Sequence, residues 1–119
     1  MFDVDFFLQS SYNSEGFTGG EELIDIRFEW DERKNISNIR KHGISFAEAM
    51  TVFDDPNVLY KPDPDHSDNE ERFIVFGFSE RTRILVVCHC YYESDSVIRI
   101  FSARKATLNE SYQYRSGIT

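Results

Sequence analysis

Three cations lie close together near the C-terminal end of the chain, in the stretch VIRIFSARKATLNE: Arg99, Arg104 and Lys105. Arg99 falls in the middle of a strand-like run, Arg104 ends it, and Lys105 just precedes a helix start. A guanidinium can hold a phosphate through two parallel hydrogen bonds and stabilise charge that develops on it. The free amides of the helix that opens at Thr107 add donors in the same neighbourhood. A pleated strand points Arg99 away from Ser102 and Arg104, so these side chains share a face only if the strand twists or bulges near its end. Two readings stand for Arg104 and Lys105, a solvated strand end and a phosphate-binding edge.

The histidines divide by context. His42 closes a helix beside Arg40 and Lys41, where a protonated imidazole is favoured by the helix dipole, and the same position suits an acid, a base or a phosphate contact. His89 shares a strand face with Leu85, Val87 and Tyr91 and reads as a core histidine, and His66 stands in an acidic, proline-punctuated loop. No HExxH pair, EF-hand glycine, GxGxxG or GK[ST] loop is present, so neither a metal nor a nucleotide cofactor is expected. Adjacent acids such as Asp54 and Asp55 or Glu70 and Glu71 are what helix ends and loops carry.

These residues need elements to position them. The chain of 119 residues fits one domain, and eleven Phe with six Tyr provide ample apolar surface for a core. Cys88 and Cys90 sit two apart on one strand, a poor geometry for a mutual disulfide. No basic, apolar leader and no membrane-length apolar run occurs, which points to a soluble cytoplasmic protein. The net charge of -8 is uneven: residues 1–30 carry seven carboxylates against Arg27, whereas from residue 96 onward four cations face Glu110 alone. The acidity therefore belongs to the front, and a basic surface at the back is compatible with it.

Residues 1–22, acidic, rich in Phe and broken by Gly16, Gly19 and Gly20, read as an extension, and 23–119 as the single folded domain. Within the domain, alternation over 23–30 predicts a strand. Asp31 and Gly43 bracket a first helix with a thin apolar stripe of Ile36 and Ile39. Ser45 and Glu48 form a capping box for a second helix, ended by Asp54-Asp55-Pro56. Strands follow at 58–60, 71–79, 83–92 and 96–104, and a capping box of Thr107 and Glu110 opens a last helix with Leu108, Tyr112 and Tyr114 inward. The order β-α-α-β-β-β-β-α suits an α+β layer, an antiparallel sheet carrying the two early helices on one face.

The combination of FEWD (28–31), Asn38 with KHGISF (41–46), FDDP (53–56) and IRIFSARKA (98–106) resembles the BrnT family of toxins from type II toxin-antitoxin systems, over roughly residues 26–114. The resemblance implies a RelE-like fold, a curved antiparallel β-sheet with two N-terminal helices and a short C-terminal helix. It also implies a metal-independent endoribonuclease that inhibits translation. The implied partner is a BrnA-like ribbon-helix-helix antitoxin, with operator DNA contacted only through the complex and no membrane involved. Carried onto this chain, it points to Lys41, His42, Arg99 and Arg104 as catalytic, with His42 as the base that helps a ribose 2'-hydroxyl attack the adjacent phosphate. Lys105, Ser102, Arg72, Arg83 and Tyr114 are the implied RNA contacts, Tyr114 by stacking on a base. Two features depart from the family pattern, the acidic lead-in and the charge of -8. They keep a second expectation open, a catalytically inactive RelE-like module that binds its partner within a DNA-binding regulatory complex.

Overall fold

The computed structural model describes residues 6–12, 26–63, 70–92 and 94–117; the rest of the lead-in and the loop around His66 lie outside the described residues. The elements are β1 (Phe6–Tyr12), β2 (Ile26–Asp31), α1 (Glu32–His42), α2 (Phe46–Thr51), β3 (Leu59–Pro62), β4 (Phe73–Phe78), β5 (Ile84–Tyr92), β6 (Val97–Lys105) and α3 (Leu108–Ser116). One turn of 3₁₀ helix, Val52–Asp54, follows α2. The described strands form a single sheet in the order β1-β2-β6-β5-β4-β3.

Local chemistry sets the element ends. The Asp31 carboxylate accepts from the Arg33 N–H at 2.9 Å to start α1, and Gly43 ends it at φ +72°, a conformation that a residue with a Cβ adopts with strain. Arg40, Lys41 and His42 fill the last turn, where cations complement the helix dipole. The Thr107–Glu110 capping box is present in both halves. At Ser45 only one half forms: its hydroxyl accepts from the Glu48 N–H at 3.0 Å, while the Glu48 carboxylate turns inward to Arg83 and Ser79.

One difference from the expected antiparallel sheet matters. The sheet is mixed, because β2 runs parallel to β6 and β1 adds an antiparallel strand at the edge. The helices also flank both faces. Phe46, Ala49 and Val52 pack with Phe28, Trp30, Leu85, Val87 and Ile100 on one side, and Tyr114 of α3 packs with Phe76, Ile84 and Val86 on the other. On α3 the inward residue is Tyr114 alone, since Leu108 is 90% exposed and Tyr112 70%. Gly77 permits the close approach of the 3₁₀ turn to β4, because a Cβ there would sit 2.8 Å from a Val52 methyl and 2.9 Å from one of Val58.

The expected Ile36–Ile39 stripe of α1 is largely exposed, and the buried side chain of that helix is Asn38. Its amide group donates to the Ala103 carbonyl at 2.7 Å and to that of Ile44 at 2.9 Å, and its oxygen accepts from the Ala103 N–H at 3.2 Å. Paired contact with both backbone groups of one residue is what a neighbouring strand would supply. The register of β2 with β6 covers Val97 to Arg99, so Asn38 continues the edge where β2 has left it. Helix α1 is thereby held beside β6.

Candidate active site: an arginine-lined cleft on the sheet

Strand β6 does not keep strict alternation. Its register with β5 pairs Arg99 with Cys90 and Ser102 with Cys88, but between them His89 meets Ile100 and Phe101 has no opposite number. Phe101 is therefore the extra residue of a bulge. The bulge resets the phase, so that Ile98, Ile100 and Ala103 all face the main core. Arg99, Ser102 and Arg104 then share the other face, each opposite a residue of β5 on that face: Cys90, Cys88 and Val86.

That face carries an open cleft of about 330 Å³. Its floor is Ile74, Val86 and Cys88, and its walls are Lys34, Asp63, Arg72, Phe101, Ser102 and Arg104. Arg72 lies with its guanidinium carbon 3.8 Å from the centre of the Phe101 ring, and the Lys34 ammonium and Arg99 guanidinium stand 5.6 Å and 6.0 Å from the same centre. Lys34, Arg72 and Arg104 thus line one cleft, with Arg99 beside Phe101 on the same face. Lys34 reaches it because Asn38 holds α1 at the sheet edge.

Carboxylates balance the charge. Glu29 bonds Arg99 at 3.0 Å, Glu70 lies 3.6 Å from Arg72, and Glu110 grips Arg104 through two bonds of 2.8 Å and 2.9 Å. The Arg104 guanidinium holds the Glu110 carboxyl down to about 2, and the same carboxylate keeps Arg104 above its ordinary value. Asp63 is 8% exposed, and its Oδ2 accepts from the Cys88 thiol at 3.5 Å. Burial first, and the Asp63 charge second, push that thiol up to about 12, so Cys88 is a neutral part of the floor.

The residues anticipated from sequence fall into two groups. Arg72, Ser102 and Arg104 line the cleft, and Arg99 shares the strand face of Ser102 and Arg104 without lining it. Lys41, His42, Arg83 and Lys105 do not line it. Arg83 is bound to Glu48 by bonds of 2.8 Å and 2.7 Å and reaches the Gly43 carbonyl next to His42 at 3.4 Å. Lys105 pairs with Leu85, a residue of the main core, and so lies on the face that α2 covers. His42 ends α1 eight residues after Lys34, about 12 Å along the helix axis.

Tyr114 is a correction. Its ring is 2% exposed and its hydroxyl donates to Asp55 at 2.6 Å, which docks α3 and leaves no face for RNA. His89, as expected, is a core residue: it is fully buried among Phe53, Tyr60, Phe73 and Tyr91, and burial lowers its pKa to about 4. Lys34, Asp63 and Phe101 were not singled out for the site. A signal for Phe101 is the adjacent apolar pair Ile100-Phe101, which breaks the alternation and marks a change of phase.

Among the described residues no group of three His, Cys, Asp or Glu is placed to hold a metal, and no helix is long and apolar enough to cross a membrane. Cations, a hydroxyl and a carboxylate surround one open groove. The family model for the ribonuclease toxin BrnT of type II toxin-antitoxin systems matches residues 30–110, and the chain belongs to that family. Its role is that of a BrnT-type toxin in such a system. The 1.1 Å crystal structure of the Brucella abortus ribonuclease toxin BrnT is similar, with 26% identity and a TM-score of 0.48, covering 66% of this chain and 92% of that one. Among curated proteins none matches.

Proposed function

We propose that the cleft cuts RNA without a metal by attack of a ribose 2'-hydroxyl on the adjacent phosphate. The observation that supports this reading is the bulge at Phe101, which turns Arg99, Ser102 and Arg104 to one face with Arg72. In this mechanism Arg104 and Arg99 exchange their carboxylate partners for phosphate oxygens and stabilise the pentacoordinate charge. Ser102 donates to a bridging or non-bridging oxygen. A base takes the 2' proton, the new P–O2' bond forms as the P–O5' bond breaks, and the 5' oxygen leaves by taking a proton from water. The products are a 2',3'-cyclic phosphate and a 5'-hydroxyl; DNA lacks the nucleophile.

Of the cleft-lining residues Asp63 is the carboxylate, and we assign it the base in place of His42. In the cell the substrate is RNA and the outcome is arrested translation in the cytoplasm. A ribbon-helix-helix antitoxin neutralises the toxin, and operator DNA is bound only through their complex.

The test is cleavage of a defined single-stranded RNA in EDTA with end-group analysis. The comparison is wild type with Arg99→Ala/Arg104→Ala, Asp63→Asn and His42→Ala, each checked for folding by circular dichroism. Loss of cutting in the double variant and a fall of roughly 10²- to 10⁴-fold in Asp63→Asn support the reading. A fall confined to His42→Ala overturns the assignment of the base. The pairing of Arg99, Arg72 and Arg104 with carboxylates favours the second reading, an inactive partner-binding module. Folded wild type that cuts nothing, with or without translating ribosomes, decides for it.

A further inference from the structure

Phe101 raises a question that phosphate chemistry does not answer. An aromatic ring at the mouth of a charged cleft forgoes burial that the main core offers one residue away at Ile100. The bulge at this position holds the ring out of the core phase. Arg72 covers it at 3.8 Å, a distance at which the guanidinium carbon lies over the ring face, and Glu70 at 3.6 Å steadies the same guanidinium. Lys34 and Arg99 flank the ring at 5.6 Å and 6.0 Å. The result is a flat, cationic, aromatic-backed surface next to Ser102 in sequence and in the same cleft as Arg104.

We propose that Phe101 and Arg72 form a stacking platform for one unpaired nucleobase beside the phosphate held by Arg99 and Arg104, making the pair a specificity determinant for single-stranded RNA. The inference rests on the cleft being the RNA site. Splayed-out bases stack on aromatic rings and on guanidinium planes, and a plane backed by a ring offers both attractions to one base. A base inside a duplex cannot present its face, so the platform selects unpaired segments. Any base has a π-face, so the selection is for strand state more than for sequence.

The experiment uses the full chain and a 2'-O-methyl RNA oligonucleotide, which lacks the nucleophile and so reports binding apart from cutting. A 2-aminopurine is moved through each position, and a second series carries one abasic site. With wild type, quenching concentrates at one position, and an abasic site there weakens binding roughly 5- to 100-fold. Phe101→Ala and Phe101→Leu abolish the quenching and lose the same factor, and the abasic site then costs nothing more. Arg72→Lys, which keeps the charge and loses the plane, behaves as they do. The slope of affinity against salt is unchanged in the Phe101 variants and falls by about 0.7 in Arg104→Ala. Wild type that binds and cuts RNA, with an abasic penalty equal in wild type and Phe101→Leu, overturns the platform and leaves the cleft as the RNA site. Wild type that neither binds nor cuts overturns both.

Discussion

Replacing Glu110 by Gln separates what holds α3 in place from what the cleft is for. The carboxylate makes two bonds to Arg104 and a third, at 2.9 Å, to the Thr107 N–H that starts α3. Its displacement from 4.5 to about 2 corresponds at full value to about 3 kcal/mol. Water reaches the pair, since the Arg104 side chain is 42% exposed, and screening reduces the net effect to about 1 kcal/mol. Glutamine keeps an oxygen for the Thr107 cap but loses the charge, so Glu110→Gln costs about 1 kcal/mol at pH 7, and Glu110→Ala, which also loses the cap, costs about 2 kcal/mol.

The pH sign follows from the depressed value. Stability from Glu110 is fully present above about 4.5 and is lost as pH falls towards 2, so the gap between wild type and Glu110→Gln holds from pH 7 to 5 and closes below that. Urea titrations at pH 7 and pH 3 measure it. Affinity for a 2'-O-methyl RNA moves the other way, several-fold tighter in Glu110→Gln, because the carboxylate no longer competes for Arg104. A gap unchanged at pH 3, or RNA affinity that falls with stability, would refute the reasoning.

Asn38→Leu removes hydrogen bonds to Ala103 and Ile44 and leaves buried backbone groups unmet, an expected loss of about 3 kcal/mol or more in urea unfolding. RNA cutting falls beyond the loss of folded protein, because Lys34 is no longer held at the cleft. Glu48→Gln breaks the bonds to Arg83 around a carboxylate side chain that is 5% exposed. An expected cost of about 2 kcal/mol at pH 7 shrinks as pH falls below the carboxylate range, since Arg83 lowers the Glu48 pKa, and thermal melts across pH check it. Gly77→Ala drives a methyl into Val52 and Val58 and lowers the melting temperature by an amount equivalent to about 1–3 kcal/mol, with Arg104 and the cleft untouched.

Element types were legible wherever a local signal stood alone. Asp31 and Gly43 mark both ends of α1, and the Thr107–Glu110 box marks the start of α3, because caps answer needs that arise within one turn. The β4-β5 and β5-β6 hairpins were legible for the same reason. The parallel contact of β2 with β6 was not. No turn joins those strands, and their approach depends on α1, α2 and three strands packing between them in sequence. Ile36 and Ile39 misled because amphipathic spacing assumes that a helix lies on a sheet face, whereas Asn38 fastens this one along a strand edge.

The site was half legible, and the bulge explains which half. Residue types pointed to Arg99, Ser102 and Arg104, but strict alternation set Arg99 against the other two, and only an irregularity in β6 could reunite them. One inserted residue does so, and that residue is the aromatic that Arg72 covers. Deleting Phe101 and replacing it therefore have different consequences. Replacement by Leu keeps the phase and the arginines, so saturating RNA is still cut, while the lost stacking surface weakens RNA binding roughly 5- to 100-fold. Deletion restores strict alternation, which either turns Arg99 towards the core or slides Ser102 and Arg104 out of the cleft, and it abolishes cutting even in a chain that folds. A deletion variant that still cuts RNA would show that the shared face, on which the proposed chemistry depends, is not what the reaction requires.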